Sequence, residues 1–134
     1  MAQALVLFLR RPGGQKQFSA LLASQTGDLQ SLRELLVWMA ENLHRDLSVE
    51  TLAARAAMSP RNFARVFVRE VRATPAHFVE QLRIEAARRL LETSKRSLDE
   101  VAGASGFGSS ELMRRAFHRS LGISPGAYRD RFKP

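Results

Sequence analysis

Residues Ser48–Phe78 read S-V-E-T-L-A-A-R-A-A-M-S-P-R-N-F-A-R-V-F-V-R-E-V-R-A-T-P-A-H-F, and Ser97–Tyr128 read S-L-D-E-V-A-G-A-S-G-F-G-S-S-E-L-M-R-R-A-F-H-R-S-L-G-I-S-P-G-A-Y. The second stretch repeats the first roughly fifty residues later. Ser48, Leu52, Ala53 and Met58 recur as Ser97, Val101, Ala102 and Phe107. After a one-residue insertion, Arg65, Phe67, Arg69, Pro75 and Phe78 recur as Arg115, Phe117, Arg119, Pro125 and Tyr128. Each copy predicts a short helix, a tight turn and a second helix whose outer face is rich in arginine. That is the sequence form of a helix-turn-helix that lays its second helix in a DNA major groove.

Working outward, the helix starts are set by hydroxyl residues. Ser-Pro or Thr-Pro at 59–60, 74–75 and 124–125 places a capping hydroxyl before a proline at the first helical position, where the missing N–H costs nothing. Ser97 with Glu100 three residues on predicts a capping box. Between the copies, Phe78, Leu82, Ala86 and Leu90 step by four, flanked by Val79 and Leu91, and predict one long helix. Glu85–Arg89 and Arg88–Glu92 are expected as i,i+4 pairs on its outside. Upstream, Leu32, Leu35, Leu36, Met39 and Leu43 predict an amphipathic helix from Asp28 to about His44, with Trp38 bordering that stripe and read as core. Met39, Met58 and Met113 read as core. No segment alternates with a period of two, so the expected fold is all-α: two helix-turn-helix subdomains joined by a long linker helix, with about seven helices. The expected division is 28–73 for the first unit, 74–94 for the linker helix and 95–134 for the second unit.

The composition narrows the chemistry. With 134 residues and 45% hydrophobic content, the chain can bury one core or two small ones. It has no cysteine, and His44, His77 and His118 lack ligand spacing, so no metal is expected. His77 reads as a surface position. No nucleophile–base pair or acidic dyad has useful spacing, and Gly13-Gly14 lacks the following lysine of a phosphate loop, so neither enzyme nor cofactor is expected. The apolar run Ala4–Leu9 is too short to cross a bilayer, and no membrane partner is expected; the expected location is the cytoplasm. Of the net charge of +8, residues 59–72 carry +3, residues 109–134 carry +4 and residues 1–27 carry +3. Residues 28–58 carry −2 and residues 73–108 cancel. A surplus on both second helices suits a polyanion such as DNA. Charge alone would fit a solvated basic face equally well.

Helix geometry nominates the contact residues. With Phe63 and Phe67 inward, Arg61, Asn62, Ala64 and Arg65 face out near the start of the first recognition helix, and Arg69 lies farther along, at phosphate reach. With Met113 and Phe117 inward, Ser110, Glu111, Leu112, Arg114 and Arg115 face out on the second, with Arg119 deeper. Arginine can donate two hydrogen bonds to guanine, glutamate can accept from cytosine, and leucine can touch a thymine methyl. Glu111 stands apart, because a carboxylate facing phosphate is unfavourable unless it acts there; Arg115, four residues on, could also simply pair with it.

From about Leu29 to Phe132 the chain resembles the DNA-binding domain of the AraC/XylS transcription regulators. The residues that carry the resemblance are Val101-Ala102, Gly106-Phe107, Ser109, Arg115, Phe117, Arg119, Gly122, Ser124-Pro125 and Tyr128-Arg129. The stretch Leu5–Ser19, L-V-L-F-L-R-R-P-G-G-Q-K-Q-F-S, resembles the end of the DJ-1/PfpI amidase-like domain and linker found in one branch of that family. That likeness implies that residues 1–27 are the remnant of an upstream domain; a frayed tail is the plainer alternative. The resemblance implies sequence-specific binding of double-stranded DNA and transcription regulation. Base-contact candidates are Arg61, Asn62, Arg65, Ser110, Glu111, Arg114 and Arg115, and backbone candidates are Ser59, Arg69, Ser109, His118, Arg119 and Arg129. RNA polymerase is the second expected partner. The chain itself is expected to act as a monomer, and oligomerisation of the full-length protein stays open.

One monomer could read two successive major grooves. The stretch Pro75–Glu92 spans about 27 Å as a helix at 1.5 Å per residue, against about 34 Å for one DNA turn. A helical protein–protein module with a basic surface is the competing reading. Two departures from the family pattern concern the first copy: Arg72 stands where a glycine usually closes the recognition helix, and Ala57 stands where the second copy has Gly106. A side chain forced into the left-handed region costs about 1–2 kcal/mol, so a different cap or a looser first unit is expected.

Overall fold

In the computed structural model, which describes residues 27–132, hydroxyl caps set where the helices begin. Ser48, Ser59, Ser97, Ser109 and Ser124 each sit in extended backbone and accept the N–H of the third helical residue. Thr74 accepts from His77 N–H at 3.2 Å in the same way. Ser97 and Glu100 close the expected capping box, with Ser97 N–H donating to the Glu100 carboxylate at 2.9 Å. Among the described residues there are seven helices and no strand: α1 (Gly27–Glu41), α2 (Val49–Arg55), α3 (Pro60–Val71), α4 (Pro75–Thr93), α5 (Leu98–Ala104), α6 (Ser110–Leu121) and α7 (Pro125–Asp130). The fold is all-α. The reading of residues 1–26 lies outside the described residues.

Helix α1 stops at Glu41 rather than near His44. Asn42 ends it: its backbone N–H donates to Met39 O at 3.1 Å and its side chain to Trp38 O at 2.8 Å, which satisfies carbonyls that a further helical turn would otherwise use.

The chain divides into two compact units that meet at Leu82 and Arg83, inside α4. In the first unit, Leu32, Leu36 and Met39 of α1, Leu52 of α2, Phe63 and Phe67 of α3, and Leu82 of α4 are fully buried. The Phe67 ring meets Phe78 edge-on, with centroids 5.6 Å apart and planes at 74°. In the second unit, Ile84, Ala87, Leu91, Val101, Ala102, Met113, Ala116, Phe117 and Tyr128 form one cluster. Its Phe117 meets Tyr128 at 6.0 Å and 76°. The repeated residues thus rebuild the same aromatic contact.

Several expectations need correction. Besides Pro75 and Glu85, the buried positions of α4 are Phe78, Val79 and Leu82 in its first half, then Ile84, Ala87 and Leu91, whereas Ala86 and Leu90 are only half-buried. A single four-residue stripe fails because each half of the helix serves a different core. Nor do Glu85 and Arg88 lie on the outside, although Glu92 is exposed as expected. Glu85 is buried and pairs with Arg88 at 3.0 Å; Arg88 Nε donates to the Tyr128 hydroxyl at 2.9 Å, which in turn donates to the Glu92 carboxylate. Trp38 is half-buried beneath the Arg55 guanidinium, 3.8 Å from its ring centroid, because the cation stacks on the face that a core position would have hidden. Met58 is also half-buried, while Met39 and Met113 are core as expected.

The two turns close alike. Met58 N–H donates to Ala53 O at 3.0 Å, and its repeat, Phe107 N–H, donates to Ala102 O at 2.9 Å. Gly106 and Gly122 take positive φ of 92° and 73°, and their counterparts Ala57 and Arg72 take 57° and 67°. The first unit therefore uses the same left-handed residues without glycine rather than a different cap. Arg72 still closes α3, donating its N–H to Val68 O at 3.0 Å.

Ala57→Gly is accordingly expected to raise stability by about 1 kcal/mol, the relieved strain exceeding the entropy glycine adds to the unfolded chain. Gly122→Ala, whose new Cβ would meet nothing within 4 Å, is expected to cost about 1 kcal/mol through backbone strain alone. Urea denaturation of the two variants measures both.

Candidate nucleic-acid interface

Two outward faces are built by the same local rule. In α3, Phe63, Val66, Phe67 and Val71 are buried, and in α6 Met113, Ala116 and Phe117 are, so the opposite side of each helix is left mostly to polar residues, with Val68 and Leu112 the exposed hydrocarbons. Arg61, Arg65 and Arg69 are exposed on α3, with Asn62 half-buried beside them. Glu111, Leu112, Arg114, Arg115, His118 and Arg119 are exposed on α6, with Ser110 half-buried at its start. The structure thus groups Arg61, Asn62, Arg65 and Arg69 on one face and Ser110, Glu111, Arg114, Arg115, His118 and Arg119 on the other. Ser59 and Ser109 stand at the heads of the two helices. Their oxygens accept from Asn62 N–H and Leu112 N–H, each at 3.2 Å, and each hydroxyl keeps its proton to donate outward.

The faces differ in detail. On α3, Arg65 Nη2 donates to Asn62 Oδ1 at 2.7 Å, and Arg69 pairs with Glu70 at 3.0 Å. On α6, Glu111 is gripped by two arginines. Arg114 reaches it with Nε at 2.8 Å and Nη2 at 2.7 Å, and Arg115 adds Nε at 3.2 Å. The expected partner Arg115 is present, but Arg114, three residues on, makes the two-pronged bond. These hydrogen bonds, above all from Arg114, hold the Glu111 carboxyl down to about 2. The repeat aligns Arg61 with Glu111, so equivalent positions on the two helices carry opposite charge.

Arg129 is placed elsewhere. Its guanidinium donates to three carbonyls, Leu91 O at 3.3 Å, Arg96 O at 2.6 Å and Ser94 O at 3.3 Å, and so caps the C-terminal end of α4. The repeat carried a signal for this, since Arg129 aligns with Val79, which is buried. Among the described residues no group of three or more acidic or histidine side chains is arranged to hold a metal ion, and no helix is long and apolar enough to cross a membrane.

The helix-turn-helix domain family matches residues 52–131. The chain belongs to the AraC-type helix-turn-helix family. The HTH-type transcriptional regulator Rv1931c of Mycobacterium tuberculosis is 53% identical over 81 residues, covering 60% of this chain and 31% of that protein. The chain therefore spans about a third of that relative's length. The DNA-binding domain of AdpA, a global transcriptional factor solved in complex with a target DNA, is 47% identical with a TM-score of 0.73, covering 76% of this chain and 92% of that one. A transcriptional regulator from Chromobacterium violaceum, of the AraC-type DNA-binding-domain proteins, is 25% identical with a TM-score of 0.69, covering 81% of this chain and 96% of that one.

Two outcomes are expected. Arg129→Ala should lower stability by about 1–2 kcal/mol, because three carbonyls lose a charged donor that water replaces only in part; thermal unfolding measures it. The Glu111 carboxyl should titrate near 2 by NMR. Its folded value lies below the unfolded one, so its contribution is present above the ordinary carboxylate range and is lost only as pH falls toward about 2. Arg114→Ala should move that midpoint back up.

Proposed function

We propose that this chain binds double-stranded DNA sequence-specifically and serves a transcription regulator, with α3 and α6 as its two reading helices in successive major grooves. The observation that carries the reading is the paired construction: two caps, two buried aromatic anchors and two arginine-bearing faces on one chain. The likeness to the AdpA domain that was solved with its target DNA supports it. The proposed base readers are Arg61, Asn62, Arg65, Ser110, Glu111, Arg114 and Arg115. The proposed backbone contacts are Ser59, Arg69, Ser109, His118 and Arg119, and Arg129 is left to its structural cap. Because the two faces differ, the site read by one monomer is asymmetric.

The rest of the proposal concerns the whole protein. Its relative Rv1931c is about three times the length matched here, and Leu5–Ser19 resemble the end of a DJ-1/PfpI-like domain, which supports an upstream domain of that type. RNA polymerase in the cytoplasm is the proposed second partner. Deleting residues 1–25 should leave the DNA preference unchanged.

Fluorescence anisotropy on a duplex selected from a random pool tests the reading. Log affinity should fall linearly with log salt, with a slope of about −0.9 per phosphate contacted. Arg61→Ala and Arg65→Ala should each cost about 1–3 kcal/mol on the selected site and relax preference at a few base pairs. Arg119→Ala should weaken all sequences alike and lower the slope by about one. A salt-insensitive signal, or none, overturns the proposal.

A further inference from the structure

Leu112 is 52% exposed, a large hydrocarbon left in water on a helix whose neighbouring outward positions are charged. Single exposed leucines are ordinary on protein surfaces. This one has an internal control. The repeat aligns Leu112 with Asn62, and both are the third residue of their helix, donating the backbone N–H to the capping serine at 3.2 Å. The backbone positions are therefore equivalent, and only the side chains differ. In α3 the Asn62 amide oxygen accepts from Arg65 at 2.7 Å, tying the arginine to that position. In α6 the equivalent arginine, Arg115, turns instead to Glu111 at 3.2 Å, because leucine offers it nothing. Leu112, Arg115 and Arg119 then lie at i, i+3 and i+7 along one side of α6, a hydrocarbon at the head of two cations.

Resting on the DNA-binding reading above, we infer that Leu112 is a specificity-determining residue that reads the 5-methyl group of one thymine in the half-site met by α6. The first turn of a reading helix is the part that reaches base edges. In the major groove the thymine methyl is the one apolar group that distinguishes a base pair, so an apolar side chain there selects it. Burying one methyl contributes about 0.8 kcal/mol, which is roughly fourfold in affinity at 25 °C. Glu111, already engaged by two arginines, does not compete for this contact. At the equivalent place in the half-site met by α3, Asn62 presents an amide, so no thymine-methyl preference is expected from that position.

The test is a thymine-to-uracil scan of a duplex selected by the 134-residue chain, each substitution removing only the methyl group. Wild-type protein should lose roughly fourfold in affinity at one thymine of the half-site met by α6. Leu112→Ala, an exposed substitution whose fold is checked by its thermal melt, should bind thymine and uracil equally there. Leu112→Asn should shift the selected base at that position. If no uracil substitution in that half-site weakens the wild type, or if wild type and Leu112→Ala respond alike, the inference is overturned while salt-dependent DNA binding stands. Failure to enrich any duplex overturns the DNA reading and this inference with it.

Discussion

An edge-to-face aromatic contact, made once in each unit, is what the rest of the structure depends on. Phe67 against Phe78 and Phe117 against Tyr128 hold α3 and α6 each to the helix that begins at the next Ser-Pro or Thr-Pro step. Each ring is buried, so the pair contributes its hydrophobic burial plus about 0.5–1.5 kcal/mol from ring geometry. Because a helix has 3.6 residues per turn, fixing Phe67 or Phe117 inward also fixes the rotation of the helix about its axis. Arg65 and Arg115 are then forced outward. The core decides where the cations point.

The scaffold is duplicated far more faithfully than the chemistry it displays. Caps, turn hydrogen bonds, left-handed residues and aromatic pairs recur, even where Ala57 and Arg72 must take positive φ without glycine. Outward, Arg65 and Arg69 recur as Arg115 and Arg119, while three positions diverge: Arg61 against Glu111, Asn62 against Leu112, and Ala64 against Arg114. Packing tolerates little change at buried positions, while an exposed side chain costs stability almost nothing to exchange. A duplicated fold with divergent faces is what an asymmetric DNA site would require of a single chain.

The second unit carries a polar network around Tyr128. Tyr128 replaces Phe78, and its hydroxyl needs partners once half-hidden; Arg88 and Glu92 supply them, with Glu85 buried behind Arg88. Burial above all raises the Tyr128 hydroxyl pKa, so the hydroxyl stays protonated and donates to Glu92. Arg129 completes the arrangement by capping the end of α4. One face of the second unit is therefore tied by hydrogen bonds from Tyr128, at the position where the first unit has the hydrocarbon ring of Phe78.

By itself the sequence determined the all-α class, the helix starts at the capping hydroxyls, the inward aromatics and the arginine-bearing faces. Those follow from local rules: a hydroxyl satisfies a nearby N–H, and a 3.6-residue period sorts apolar from polar. The side of α4 that is buried in each half, the inward turn of Arg129, the burial of Glu85 and the grip of Arg114 on Glu111 were decided by tertiary structure. Each depends on a partner that local periodicity does not contain. Arg129 could be placed only once the carbonyls of Leu91, Ser94 and Arg96 were in position, because a guanidinium goes wherever unsatisfied acceptors converge.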